Sequence, residues 1–144
     1  MDHGGVSSAD LALLAATAAH LGFQATVTAV VYPALARVPR EQWAAAHRAH
    51  SRAITPVVAV VYGSVLGCCG WALGAGPAAG TWVAVAASAA AVLVTASAAA
   101  PAHARLGIGY DPRVIRRLVR ADRLRTVAAA TALAAALVVV LGPA

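Results

Sequence analysis

Four long apolar runs constrain this chain more than anything else in it. Leu11–Val31, Ile54–Leu73, Trp82–Ala100 and Thr126–Leu141 contain no Arg, Asp or Glu. About 20 apolar residues cross the hydrocarbon of a bilayer. There every backbone amide must be paired within its own segment, so each run is expected to be a helix. The spans implied cover about residues 11–33, 54–73, 81–100 and 124–141. Of the 144 residues, 61% are hydrophobic and 11% charged, less than half the roughly 25% charge of a soluble domain. That shortage excludes a small cytosolic enzyme, a disordered chain and an ordinary nucleic-acid-binding domain. The expectation is one all-α domain, an integral-membrane four-helix bundle over 1–144.

The scarce charge gives the orientation. All 11 cations are Arg. Four of them (Arg37, Arg40, Arg48 and Arg52) lie between the first and second spans. The other seven, from Arg105 to Arg125, lie between the third and fourth spans or at the head of the fourth. Cationic loops stay cytoplasmic, so both loops are expected inside a bacterial-type plasma membrane, with both termini outside. Met1–Asp10 lacks the basic start of a signal peptide. Trp71 and Trp82 bracket the outer turn, and Tyr32 and Tyr110 sit near the inner boundary, as interfacial aromatics do.

The loops themselves read as helical extensions. Arg40–Ala53 contains no breaker, and Asp111-Pro112 is an N-cap followed by Pro at the first helical position. The second and fourth helices should therefore reach into the cytoplasm, with Gly107–Asp111 as a tight connection. Ala-rich spans favour close packing, and the Gly63/Gly67 pair is assigned to packing inside the bundle. Homo-oligomer contact is the weaker assignment for that pair. Cys68 and Cys69 read as free thiols.

Helical spacing then collects the polar residues. Trp43, His47, His50 and Ile54 share one stripe of the second helix, and Ile115, Leu118, Asp122 and Arg125 share one of the fourth. Thr17, His20, Gln24 and Thr28 form a polar stripe on the first. At 1.5 Å per residue, Gln24 lies about 13 Å deeper than Pro33 and His20 about 20 Å deeper. His103 follows Pro101, which permits a kink. His3 is in the tail and receives no role. Ionisable groups in membrane segments mark functional sites by default. His47, His50, His103 and Arg125 are thus candidate catalytic groups. Trp43, Tyr32, Asp122, Gln24 and His20 are candidates for substrate contact. The bland reading stands beside this: an Asp122–Arg125 ion pair, interfacial imidazoles, and arginines that bind lipid phosphate.

Three chemistries fit these residues. His47, His50 and His103 form a candidate site for a copper, iron or zinc ion. Without metal, a His can take a proton from an acidic C–H or phenol while Arg125 stabilises the oxyanion. Haem is disfavoured, because no CxxCH is present and the interior is packed with small residues. The partners expected are the bilayer and a lipophilic small molecule, with no nucleic acid.

Val31-Tyr32-Pro33-Ala34-Leu35, Trp43-x3-His47-x2-His50-x3-Ile54-x-Pro56, Pro101-x-His103-x2-Leu106-x2-Gly109-Tyr110-Asp111, and Leu118-Val119 with Arg125-Thr126 resemble bacterial members of the anthrone-oxygenase-like family. These are small four-helix membrane proteins. The resemblance spans about residues 20–127. Closer members carry Asn-Trp where this chain has Asp122-Arg123. Fungal members are linked to oxidation of an anthrone to an anthraquinone in polyketide synthesis. The resemblance thus implies oxygen chemistry on a polycyclic phenol, a reaction of secondary metabolism, with His47, His50 and His103 as the positions concerned. Two alternatives share the same residues. One is a cyclase or isomerase using His acid–base chemistry. The other is a non-enzymatic module that binds a metal or small molecule, or that assembles with a larger complex.

Overall fold

The computed structural model describes residues 6–142; His3 lies outside them. Among the described residues the fold is all helix, with no strand. The helices are α1 (Ser8–Ala36), α2 (Arg40–Gly74), α3 (Ala79–Ile108) and α4 (Pro112–Leu141), each long and apolar enough to cross a membrane. At 1.5 Å per residue, α2 measures about 50 Å against a hydrocarbon thickness of about 30 Å. Its Arg-bearing first turns therefore extend past any such layer.

Local chemistry sets the helix ends. Ser7 and Asp10 form a reciprocal capping box at the start of α1, satisfying donors that the first turn leaves open. Asp111 caps α4, accepting from Arg113 N at 2.7 Å, and Pro112 follows at the first position. α4 then runs unbroken to Leu141. The connection before it is shorter than expected, because α3 continues through Gly107 to Ile108. Gly76, at φ +94°, makes the turn between α2 and α3, a conformation that glycine tolerates best.

The helices pack in a ring: α1 against α2 and α4, and α3 against α2 and α4. Small side chains bring α3 and α4 together; Ala84, Ala91, Ala129 and Ala132 are fully buried. At Gly80 a Cβ would stand 2.7 Å from Val139 Cγ2 and 3.1 Å from the Ala135 carbonyl oxygen, so a side chain there would have to displace Val139 and press on the α4 backbone. Gly63 and Gly67 behave otherwise. Both face outward, with nothing within 4 Å of a Cβ placed on them, so the expectation that they pack inside the bundle is corrected. The inward face of α2 carries Tyr62, Val65 and Cys69 instead. Cys68 and Cys69 are free thiols.

Two cores divide the bundle by height. Ala9, Leu13, Ala16, Val65, Cys69, Ala72, Ala84 and Ala136 fill the end nearer the α2–α3 turn. Trp43, Ala99, Ala102, Leu106, Val114, Leu118 and Ala121 fill the Arg-rich end. Polar side chains occupy the zone between and beside them. Trp71 and Trp82, 55% and 57% exposed, face outward near the far turn, as interfacial residues would. Tyr32 does not: it turns inward and hydrogen-bonds Arg125.

Candidate functional site

Two proline-linked distortions shape the Arg-rich end. Val27–Val31 in α1 and Thr95–Ala99 in α3 are π-helical turns. Pro33 and Pro101 follow them by two residues. The Tyr32 amide bonds back to the Val27 carbonyl, and the Ala100 amide to that of Thr95. Proline lacks an amide donor and its ring collides with the carbonyl four residues back. A widened turn relieves both problems, and such turns recur at functional sites. Here they re-aim Tyr32 and His103.

Trp43 anchors the His cluster. Its indole N–H donates to the Leu106 carbonyl at 2.9 Å, and its ring stacks on His47 with centroids 5.6 Å apart. Tyr110 packs edge-on against the same indole, and Arg40 lies over the Tyr110 ring. Held this way, His47 meets His103 across the α2–α3 interface, Nε2 to Nδ1 at 3.4 Å. His50 lies one turn on, its centroid 6.5 Å from His47 and 6.0 Å from His103. The three rings lie outside the apolar runs Ile54–Leu73 and Trp82–Ala100. Burial pulls the pKa of each below the usual imidazole value. For His103 burial acts first and the neighbouring imidazoles and Arg125 add to it, so its pKa falls to about 4. All three are therefore neutral at neutral pH, the form that accepts protons.

Asp122 and Arg125 form a buried ion pair at 2.9 Å, the only ion pair among the described residues. Two further bonds tie it to α1. Thr28 donates to Asp122 Oδ2 at 2.6 Å, and Arg125 Nη2 donates to the Tyr32 hydroxyl at 3.1 Å. Paired charges inside a protein need such extra partners to offset their desolvation.

Two cavities meet at these groups. One of about 310 Å³ is lined by Thr28, Tyr32, Trp43, His47, His103 and Asp122, with Leu35, Leu106, Ile115 and Leu118 as apolar walls. The other, about 230 Å³, takes in Tyr32, His50, Thr95, His103 and Arg125, with Phe23, Ile54 and Val58. Tyr32 and His103 form a wall common to both. An apolar chamber with a few convergent polar groups is the usual form of a small-molecule site.

His20 and Gln24 are fully buried but line neither cavity. They lie deeper in the bundle, where His20 meets the Tyr62 ring edge-on at 4.8 Å. The polar atoms of both side chains lack partners. The metal expectation meets a similar limit. The 3.4 Å between His47 and His103 nitrogens matches two ligands about 2.1 Å from one tetrahedral ion. Among the described residues, however, no three His, Cys, Asp or Glu side chains group to hold an ion. The reason is directional: His47 lines the larger cavity, His50 the smaller one, and only His103 both.

Spacing did not reveal Thr28 as a partner of Asp122, nor Tyr62 and Thr95, whose hydroxyls stand 2.9 Å apart. A seven-residue repeat of inward hydroxyls on α3 (Thr81, Ser88, Thr95) was available in the sequence and would have pointed to Thr95. Comparison with family models, with curated proteins and with solved structures finds no match.

Proposed function

We propose that this chain is an integral-membrane oxidoreductase of the oxygenase type. Its substrate is a lipophilic, aromatic, polyketide-like small molecule, bound at the cytoplasmic mouth of the bundle. One observation carries the reading: neutral His103 stands between two apolar-walled cavities, against His47 and beside the Tyr32–Arg125–Asp122 network. The resemblance to the anthrone-oxygenase-like family points the same way.

The chemistry follows from those groups. A benzylic CH₂ flanked by aromatic rings and a carbonyl is acidic enough for an imidazole base. His103 removes the proton, with His47 taking the positive charge in part through the ring contact. Tyr32 and Arg125 donate to the substrate oxygen as it becomes an enolate. The electron-rich carbon then reacts with dioxygen. In balance, R₂CH₂ and O₂ give R₂C=O and H₂O: the carbon loses four electrons and dioxygen gains them. Trp43 and the apolar walls position the flat substrate and exclude water. Without dioxygen the same base catalyses isomerisation or cyclisation, and oxygen uptake separates the two.

The test uses protein in lipid nanodiscs with 1,8-dihydroxyanthrone as probe. Quinone formation should exceed the protein-free rate, with one O₂ consumed per substrate. A positioned base contributes roughly 10²–10⁴-fold, so His103→Ala should lose at least about a hundredfold. Equal quinone formation by wild type and His103→Ala refutes the oxygenase. Proton exchange at the benzylic carbon without oxygen uptake assigns the isomerase instead.

A further inference from the structure

A groove opens on the outer side of the His pair, between α2 and α3. Its volume is about 350 Å³, and its lining is His47, Arg48, Ser51, Arg52, His103, Ala104 and Gly107. Arg48 and Arg52, four apart, project from one face of α2 and are exposed. Among the described residues neither has a carboxylate within ion-pair distance. Ser51 borders both this groove and the smaller cavity, and its buried hydroxyl has no hydrogen-bond partner. Gly107 completes the wall: a Cβ on it would stand 4.0 Å from Nδ1 and Cε1 of His47. The missing side chain leaves that ring edge facing the groove, while Nε2 of the same ring faces His103.

These donors share one preference. Two guanidinium groups, an unused hydroxyl and an imidazole edge all suit an oxyanion, and guanidinium pairs suit phosphate best. Arg48 and Arg52 also directly precede the apolar run Ile54–Leu73, and in a membrane-spanning helix the end of the apolar run is where headgroup phosphates lie. We propose that it is a binding site for the phosphodiester headgroup of an anionic membrane lipid. The bound headgroup closes the outer side of the His47–His103 pair. This rests on the membrane reading of the four helices and not on the oxygenase chemistry, so either can fail alone.

The experiment places the full chain in nanodiscs of phosphatidylcholine with or without phosphatidylglycerol, and counts retained lipid by native mass spectrometry. Phosphatidylglycerol should be held selectively. Arg48→Gln with Arg52→Gln should weaken it roughly thirtyfold, at the strength expected for two arginines near a membrane surface. Gly107→Leu, which fills the groove and leaves every charge in place, should displace it as well. Arg116→Gln with Arg120→Gln removes the same charge from the exposed face of α4 and should leave it bound. Equal loss in that control overturns the site, since diffuse attraction would then suffice. So does retention of phosphatidylcholine as tight as phosphatidylglycerol. An equally strong, Arg48-dependent signal from inorganic phosphate in lipid-free detergent would make the occupant a free anion, and overturn the lipid.

Discussion

At the scale of single residues, the buried polar groups fall into two kinds with opposite consequences. Asp122 and Arg125 bond to each other, to Thr28 and to Tyr32, and only the buried Arg125 Nε lacks a partner. Removing one charge strands the other, which typically costs about 3–5 kcal/mol. Asp122→Ala should therefore lower the thermal midpoint in detergent sharply. Gln24 is the converse. Its amide is fully buried with neither polar atom partnered, so Gln24→Leu removes a penalty and should leave the midpoint unchanged or raise it. A large drop in the leucine variant would show that the amide has a partner. The half of this pattern that lies within one helix was legible in the sequence, because Asp122 and Arg125 are three apart. The bonds to Tyr32 and Thr28 were not, since they cross 93 and 94 residues and depend on the register between α1 and α4. His103 adds a pH prediction. Its folded pKa, about 4, lies below the roughly 6.5 of an exposed imidazole. The unfolded chain then binds more protons, so this stabilisation is complete above about pH 6.5. It is lost as pH falls from there toward 4, at no more than about 1.4 kcal/mol per pH unit. Thermal midpoints should decline over that window, and His103→Phe should flatten the decline.

At the scale of elements, the widened turns before Pro33 and Pro101 determine what the helices present. Apolar runs and Arg clusters located all four helices from sequence, because hydrocarbon leaves the backbone no alternative to helix. They did not reveal the π turns. A proline signals a local disturbance, but whether the chain kinks or takes in an extra residue depends on the packing around it. That distinction matters at His103, since an α turn in place of the π turn rotates everything beyond it about the helix axis. Pro101→Ala removes the clash that the wide turn relieves. The turn should then tighten and carry His103 away from His47 and out of the common wall of the cavities. The ring should titrate closer to the ordinary imidazole value, as read from its NMR chemical shifts across a pH series. An unchanged titration would mean that α3 packing, and not proline, holds the wide turn.

At the scale of the whole molecule, the two ends of the bundle are chemically unlike. Every Arg, the His trio and both cavities lie at one end. The other is closed by Leu13, Val65, Ala84 and their neighbours, all nearly or fully buried, and past His20 and Thr17 the buried polar side chains among the described residues are the uncharged hydroxyls of Ser88 and Thr81. Such a bundle suits chemistry on molecules arriving from one side better than passage through it. Its orientation follows from cost. Moving an arginine through the hydrocarbon is opposed by at least about 2.5–3.5 kcal/mol, and here eleven arginines would move together. The prediction is therefore that both loops that carry them stay in the cytoplasm, with the C-terminus outside. A reporter fused after Ala144 that is active only beyond the membrane should be active, and its cytoplasm-only counterpart silent. The α2–α3 turn offers the matching perturbation, because Ala75 and Ala78 are exposed and no cation lies between Gly74 and Gly80. Arginines at both positions should erode the bias and give mixed reporter signals. A C-terminus that reads cytoplasmic in the unaltered chain would reverse the orientation and put the His cluster on the outer face.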